Sequence, residues 1–373
     1  MSRFFIAILI ITAVFGLLVG DAGAHPAWGI AVDRQGQVFF SDLMTVWKVD
    51  AQGKLSVFRA GADGRHTHDL NIDEAGNLYG VDNSYEPATQ RFFSAVWKMT
   101  PAGGFSYLLA PTDDPPEGTS VWKDCDGSMY HVTHYPEREL LVLKRTPNGI
   151  VTALVGSSNA VQSYRQGVPY SVGGLAFGTD GALYFIHGAD VSKLTTSGTL
   201  TPLIRNLAAE NASANSTDGN SRTQLFGIAV DAQANVFVAD YGNRRILKIT
   251  PDGKSTTLLR AEESWFPTGV AVRGDELYIL EYGHTPTHTP IGTRVRKLSS
   301  DGKVSVLATV GENTNPPARA TSVSTNIESV AVPKEFASYW LIGLCASVFA
   351  VSVVIWRIRK KKIAELPEQE THI

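Results

Sequence analysis

Residues 226–253, FGIAVDAQANVFVADYGNRRILKITPDG, contain one full example of the pattern that decides the fold. A short apolar run (FGIAV) leads into a polar turn, a second run (ANVFVAD) follows, and a third carries Lys248. Runs this short are not helices, and aromatic and β-branched residues at a period of two between turn residues are typical of strands. The unit ends in a TPDG turn, in which Pro251 presets the backbone and Gly253 accepts a positive φ.

The same unit recurs along the chain. In each copy a lysine is followed five positions later by a glycine, and these lysines are Lys48, Lys98, Lys144, Lys193, Lys248 and Lys297. The first and last lysines lie five steps apart, so the period is about 50 residues, the length of a four-stranded propeller blade. We therefore predict an all-β fold, a six-bladed β-propeller over residues 25–332, because radial repetition leaves only short, protected sheet edges.

Closure of the ring and two insertions need separate expectations. The first strand begins at Trp28, which leaves no upstream segment to complete the last blade. Ile327–Val332 (IESVAV) repeats the opening pattern of a unit, and we expect it to join the sheet system near the first blade. Residues 85–94 and 284–293 are expected to form long loops, where binding functions are often found.

The N-terminal segment has the features of an export signal. Residues 4–19 form an apolar run after Arg3, and the small-residue site Ala22-Gly23-Ala24 follows. This arrangement predicts a secretory signal peptide over residues 1–24, cleaved before His25. An uncleaved anchor is the alternative.

The C-terminal segment predicts a membrane anchor. After a linker at 333–338, the apolar run 339–356 is just long enough to cross a bilayer. A buried core helix is the alternative, although a propeller has no place for one. The basic tail, 357–373, favours a cytoplasmic C-terminus. We expect a single-pass cell-membrane protein whose propeller is extracytoplasmic, either periplasmic or extracellular.

Composition excludes several classes of protein. The chain has two cysteines, Cys125 in the propeller region and Cys345 in the apolar run, which cannot plausibly bridge each other. A large core without disulfides is therefore expected. The net charge is −3, with no basic patch outside the C-terminal cluster, which argues against nucleic acid as a partner.

One unit carries a family motif. Residues 236–249 (VFVADYGNRRILKI) closely resemble an NHL repeat, with its hydrophobic strand, Ala-Asp, a short turn with Asn, and Arg-Ile before a second strand. NHL propellers are mainly binding platforms. More distantly, the whole chain is similar to the gluconolactonase and strictosidine-synthase-like superfamily of six-bladed propellers. That resemblance implies a divalent cation at the central mouth, held by Glu, Asn and Asp just before the innermost strands.

The family's metal ligands are not all matched, and another set of residues is available. The positions before the first strands supply His66, His68, Asp69 and Glu117. A divalent metal on His68, Asp69 and Glu117 would suit zinc or another transition metal better than calcium. The alternative is that these are polar residues of the mouth, hydrogen-bonded to backbone. No other cofactor is indicated.

A second ring of residues lies at the ends of the second strands. Asp42, Asp82 and Asp240 are expected to satisfy backbone amides of the turns that follow them. His187 and Glu281 break this pattern, and a His paired with a Glu could perform acid–base work if the fold brought them together.

Aromatic residues near the mouth point to a ligand. Trp28, Tyr170, Trp265 and Phe266 would suit a sugar or a peptide, and packing between blades is the alternative. The usual catalytic signatures are absent from the sequence. We therefore expect a membrane-anchored module that binds a small molecule, carbohydrate or protein. The alternative is a metal-dependent, lactonase-like hydrolase or lyase with its site at the propeller mouth.

Overall fold

The computed structural model describes residues 26–62, 64–113, 120–123, 128–133, 140–156, 174–207 and 224–311. These residues form six four-stranded antiparallel sheets, and each sheet consists of four strands that are consecutive in the chain. The prediction of an all-β, six-bladed propeller is confirmed.

The strands are numbered in chain order, four to a blade. Blade 1 contains β1 Ile30–Val32, β2 Val38–Ser41, β3 Val46–Val49 and β4 Leu55–Arg59. Blade 2 contains β5 Arg65–Ile72, β6 Leu78–Glu86, β7 Arg91–Met99 and β8 Phe105–Thr112. Blade 3 contains β9 Ser120–Lys123, β10 Ser128–Thr133, β11 Leu141–Arg145 and β12 Val151–Val155. Blade 4 contains β13 Leu175–Phe177, β14 Leu183–His187, β15 Asp190–Leu194 and β16 Leu200–Ile204. Blade 5 contains β17 Leu225–Val230, β18 Val236–Asp240, β19 Arg245–Ile249 and β20 Ser255–Arg260. Blade 6 contains β21 Trp265–Arg273, β22 Glu276–His284, β23 Pro290–Leu298 and β24 Val304–Val310.

The ring closes by direct packing of blade 6 on blade 1. Phe40 and Trp47 of blade 1 share one buried cluster with Tyr278 and Leu280 of blade 6. Blades 1 and 6 are each complete from their own four strands. The expected closing segment, 327–332, lies outside the described residues.

The repeated lysines have a common structural role. Each lies on the third strand of its blade, directly opposite an aromatic residue of the second strand. The lysine Nζ lies 5.2 to 5.8 Å from the centre of that ring. The aromatic partners, in chain order, are Phe39, Tyr79, Tyr130, Tyr184, Phe237 and Tyr278. Each pair is therefore a cation–π contact worth about 0.5–1 kcal/mol.

Strand makes up at least half of each insertion expected as a loop. In blade 2, β6 continues to Glu86 and β7 begins at Arg91, and in blade 6, β22 continues to His284 and β23 begins at Pro290. The loop expectation was wrong because Tyr85 pairs with Phe92, and Tyr282 pairs with Thr293, which continues both hairpins beyond the other blades. We call the end of the ring at which the innermost strands begin the mouth, and both hairpins extend at this end.

Several expectations concern residues outside the described ranges. They are the signal peptide 1–24, the linker 333–338, the apolar run 339–356, the tail 357–373 and both cysteines. Within the described ranges, no helix is long and apolar enough to span a membrane.

Candidate functional site

A ring of glycines brings the innermost strands close together at the mouth. A Cβ on Gly269 would lie 2.3 Å from the Trp28 carbonyl oxygen of blade 1, and one on Gly227 would lie 2.6 Å from the Gly269 Cα. A Cβ on Gly174 would lie 2.8 Å from the Phe226 carbonyl oxygen, and one on Gly29 would lie 3.0 Å from the Leu70 amide nitrogen, a tight contact. Glycine suits these four positions because backbone from the next blade approaches the space of a side chain.

Blade 2 breaks this pattern with a carboxylate. Asp69 pairs with Val81, at the register position where Gly269 of blade 6 pairs with Leu280. Asp69 borders a central cavity of about 370 Å³ that is lined by the innermost strands of five blades, with Trp28 on its wall. Blade 2 therefore places an acidic group where four other blades have none.

Burial controls the charge of Asp69. Protein surrounds the carboxyl, although its surface toward the cavity remains accessible, and this burial raises its pKa to about 7. The Leu70 amide donates a hydrogen bond of 2.9 Å to Asp69 Oδ1, which acts in the opposite direction but is weaker. Asp69 is therefore close to half-protonated at neutral pH, as general acid–base groups often are.

The two histidines predicted at the mouth lie on β5. His68 is the extra residue of a β-bulge between Thr67 and Asp69, and its side chain is buried. Its ring lies 5.1 Å from the Trp28 ring and 6.0 Å from that of His66. The bulge explains how His68 and Asp69, which are adjacent in sequence, both reach the mouth.

A continuous run of aromatic rings in contact with one another crosses the mouth, and we call it the aromatic belt. Its consecutive members are His66, His68, Trp28, Phe226, Tyr241, Phe266, His284 and His288. Neighbouring ring centres lie 4.2 to 6.0 Å apart, and the belt joins blades 2, 1, 5 and 6. Six of its eight rings are half-buried, His288 is exposed and His68 is buried, so most of the belt is partly accessible.

Hydrogen bonds fix the blade 6 end of the belt. His284 Nδ1 lies 2.9 Å from the Thr285 carbonyl oxygen, which can only accept, so this nitrogen carries the hydrogen. His284 Nε2 then accepts from the Tyr241 hydroxyl at 3.2 Å. The His284 ring is stacked on Phe266, with centres 4.2 Å apart and an 8° angle between planes. Burial, with a smaller effect of Tyr282, raises the pKa of Tyr241, so its hydroxyl remains a donor at neutral pH.

Sequence reasoning identified only part of the belt. It named Trp28, Phe266, His66 and His68, and missed the link through Phe226, Tyr241 and His284. A signal did exist, because Phe226 occupies the bulge position that His68 has in β5. Tyr170, also predicted, lies outside the described residues.

Among the described residues, Trp265 makes no ring contact with a member of the belt. Its ring packs under Arg294, whose guanidinium carbon lies 4.2 Å from the ring centre. A Cβ on Gly283 would come within 3 Å of the same ring, so the site fits only a glycine. Trp265 is held mainly by packing in the extended hairpin region of blade 6.

The acidic residues at the ends of the second strands are engaged in ionic contacts or turns. Asp42 accepts hydrogen bonds from the amides of Met44 and Thr45, as predicted. Asp240 accepts from the Asn243 amide and also binds the Arg245 guanidinium at 2.8 Å, which gives the Asp, Asn and Arg of the NHL-like motif one shared network.

Asp82 departs from the expected turn role. Arg59 of blade 1 binds both of its oxygens, at 2.9 and 2.7 Å. The Thr67 hydroxyl and Trp97 Nε1 donate to the same carboxylate. Asp82 therefore joins two blades, because an arginine from the neighbouring blade replaces the turn amides as its partner.

His187 and Glu281 lie two blades apart, in blades 4 and 6. His187 Nε2 lies 2.9 Å from the Ser192 hydroxyl of its own blade. Glu281 is completely buried, and Arg294 and Arg296 each donate to one of its oxygens. The structure does not bring the two residues together, and a ligand could reach Glu281 only by displacing the arginines.

The described residues alone do not complete a metal site. Within the described ranges, no group of three His, Cys, Asp or Glu side chains is placed to hold a metal ion. Glu117, the third predicted ligand beside His68 and Asp69, lies outside these ranges. The metal therefore stays a prediction, and no chemistry is derived from it.

Comparisons with known proteins give distant likenesses only. No protein-family model and no curated protein matches the sequence. Among solved structures, the chain is similar to virginiamycin B lyase from Staphylococcus aureus (14% identity, 75% of this chain and 83% of that one, TM-score 0.45). It is also similar to a luciferin-regenerating enzyme (14%, 79% and 95%, TM-score 0.48) and a gluconolactonase from Xanthomonas campestris (14%, 68% and 83%, TM-score 0.43). Likenesses of this size say nothing about activity, and the six-bladed architecture follows from the sheets themselves.

Proposed function

We propose that this protein is a binding module that takes a small ring-containing ligand at the propeller mouth. The carrying observation is the aromatic belt, in which partly exposed rings from four blades lie in contact and one ring, that of Trp28, also lines the central cavity. Half-buried aromatic rings supply large contact areas at a small cost in side-chain entropy, because packing already holds them.

The belt favours a carbohydrate or an aromatic ligand over a metal complex. The cavity of about 370 Å³ falls within the usual size of small-molecule sites. Two polar groups near the rings, the Asp69 carboxyl that shares the cavity wall with Trp28 and the Tyr241 hydroxyl bonded to His284, would fix the orientation of a hydroxylated ring.

Tryptophan fluorescence tests this function. The full chain, purified in detergent, is titrated with neutral oligosaccharides and with aromatic ligands. We expect a saturable change in Trp28 emission when a ligand binds. Phe266→Ala should weaken the affinity for the ligand by about tenfold, since loss of a stacking partner costs on the order of 1–2 kcal/mol. Tyr107→Ala, which removes an exposed aromatic ring from blade 2, is the matched control. Equal effects of both substitutions would contradict the proposal.

A hydrolase or lyase is the second candidate, and Asp69 favours it. A carboxyl with a pKa of about 7 beside a cavity can donate or accept a proton at neutral pH. Asp69→Asn should then abolish turnover of a lactone panel, whereas the substituted protein should still bind ligands at the belt, with at most a moderate loss of affinity. If wild-type protein, with and without added divalent metal, turns over no lactone, this candidate fails.

We also propose that the protein is exported and anchored, with the mouth on the side where the chain leaves the propeller. Apolar segments at residues 4–19 and 339–356 support this proposal. In a four-stranded antiparallel blade the first strand begins and the fourth ends at one end of the sheet, so the chain enters β1 and leaves β24 at the mouth. Protease added to intact cells should remove the propeller and spare a C-terminal tag. Loss of the tag would instead show the opposite orientation, with the C-terminus outside the cell.

A further inference from the structure

Three large apolar side chains are exposed at the rim of the mouth. Met44, Tyr85 and Ile291 are 39%, 44% and 40% exposed. Met44 lies in the turn between β2 and β3, Tyr85 near the tip of the long hairpin of blade 2, and Ile291 in that of blade 6. In an antiparallel blade the turn between the second and third strands lies at the end where the first strand begins. Blades 6, 1 and 2 pack side by side, and we call these three side chains the apolar arc.

The turn that carries Met44 is held rigidly. Leu43 has a φ of 84°, which is uncommon for a residue with a bulky side chain. Its side chain is buried, and the Thr67 amide of blade 2 donates to its carbonyl oxygen at 2.7 Å. Unfavourable backbone angles persist only where the surrounding structure enforces them, and they occur often at functional sites. The fold therefore keeps the exposed Met44 in a fixed turn.

The hairpin that carries Ile291 contains a β-bulge. Gly283 pairs with Gly292 and His284 with Pro290, so Ile291 is the extra residue between two paired positions. A bulge changes the direction of a side chain. Gly292 has a φ of 140°, and a Cβ there would lie 2.2 Å from the Val310 carbonyl oxygen. Backbone packing therefore fixes the bulge that exposes Ile291.

The apolar arc occupies one side of the mouth. The turns of blades 4 and 5 that correspond to the Met44 turn expose Gly188, Gly242 and Arg244. Within the part of the chain that the structure describes, these two turns expose no large apolar side chain, and the blade 3 turn lies outside that part. Apolar groups that gather on one side of a surface usually mark a contact with another molecule or a membrane.

The path of the chain indicates which contact this is. Exposure alone does not, since Leu200 and Val304, at the opposite end of the ring, are 37% and 36% exposed. The chain leaves β24 of blade 6 at the mouth, and residues 311–338 then lead to the apolar run 339–356. At about 3.5 Å per extended residue, this tether could span on the order of 100 Å, so it does not by itself hold the propeller at a membrane.

We propose that the apolar arc rests on the outer surface of the bilayer in which the run 339–356 anchors the chain. Met44, Tyr85 and Ile291 insert among the lipid headgroups, the region in which aromatic and apolar side chains of membrane-bound proteins are commonly found. The mouth then opens along the membrane plane, on the side of blades 4 and 5. This inference rests on the proposed anchoring and does not depend on which ligand the mouth binds.

The test places the full chain in phosphatidylcholine nanodiscs. Cys125→Ala and Cys345→Ala remove the native thiols, and a single new cysteine carries an environment-sensitive nitrobenzoxadiazole dye. Tyr85→Cys and Ile291→Cys report on the arc, and Leu200→Cys and Val304→Cys are the matched controls of similar exposure. We expect the emission of the two arc positions to shift to the blue and to be quenched by a lipid with a nitroxide near its headgroup. The control positions should show neither effect.

A second variant tests the cause of this protection. Met44→Asp combined with Ile291→Asp should return the dye at position 85 to the emission of the controls, because carboxylates are costly in contact with lipid. The melting temperature should stay close to that of wild type, since both side chains are exposed. Persistent quenching at position 85 in this variant would contradict the proposal.

Other outcomes have distinct meanings. A blue shift without nitroxide quenching, together with two chains in each disc by light scattering, would show that a second copy covers the arc. Equal spectra at all four positions in an anchored chain would overturn the docking and leave the anchoring intact. A chain that does not elute with the discs would overturn the anchoring and the docking together. Ligand binding at the aromatic belt is measured separately in detergent, so its failure is distinguishable from all three.

Discussion

Replacing Asp69 with asparagine should make the propeller more stable at neutral and alkaline pH. Burial raises the pKa of this carboxyl from 3.8 to about 7. Between these values the unfolded chain has released the proton that the folded chain still holds, so raising the pH favours unfolding. The full interval corresponds to roughly 4 kcal/mol. Because the carboxyl borders a cavity that can hold water, we expect about half of that, close to 2 kcal/mol.

Urea denaturation between about pH 4 and pH 8 measures this effect. The wild-type free energy of unfolding should fall across this range relative to Asp69→Asn, and the two proteins should be most alike at the acidic end. Asp73→Asn is the control. Burial alone would raise the Asp73 pKa, but hydrogen bonds from Asn77, Tyr79 and backbone amides outweigh it, so the net pKa is lowered. A chelator is present throughout, since a bound cation would favour the ionised form of Asp69. If Asp69→Asn is less stable than wild type at pH about 8 under these conditions, the argument from burial is wrong.

Three further substitutions test the packing of the ring. Gly227→Ala should destabilise the fold by about 2–4 kcal/mol, because its Cβ would lie 2.6 Å from the Gly269 Cα; an unchanged melting temperature would show that the innermost strands can separate. Lys248→Ala should lower the free energy of unfolding by about 0.5–1 kcal/mol, because it removes the contact with Phe237. Lys248→Arg should retain most of this stabilisation, and equal losses in the two variants would contradict the cation–π explanation. Glu281→Gln should cost about 3–5 kcal/mol because it leaves two buried arginines short of charge, and belt ligands should bind as before; loss of ligand binding in folded protein would instead give Glu281 a role at the mouth.

The fold could be predicted from the sequence because its determinants repeat. The lysine of each unit is periodic because it faces an aromatic ring on the neighbouring strand, and the glycine that follows it is periodic because the turn needs a positive φ, as at Gly253. Because the same lysine contact and glycine turn occur in six blades, the period is visible even where a single unit matches the NHL-like pattern poorly. The hairpins of blades 2 and 6 were missed because Tyr85 and Tyr282 continue strands that other blades end earlier.

The candidate site could be predicted only in part because its members come from different units. Trp28 and Phe226 are stacked at 6.0 Å although 198 positions separate them, and no local pattern records that contact. His66 and His68 were visible in the sequence as a cluster. Tyr241 was not singled out because it lies within the NHL-like motif, which was interpreted through its other residues. A ligand surface assembled across blades is visible in the sequence only where equivalent positions of several units carry aromatic rings, as Phe226 and His68 do.

Departures from the repeat are therefore more informative about function than the repeat itself. A position that serves the fold should hold the same residue type in every blade, as the glycines at 29, 174, 227 and 269 do. Asp69 occupies the equivalent position in blade 2, and burial raises its pKa there. At neutral and alkaline pH this carboxyl makes the folded protein less stable than an uncharged residue would. Because Asp69 borders the central cavity, selection for binding at the mouth would account for a cost that packing alone does not explain.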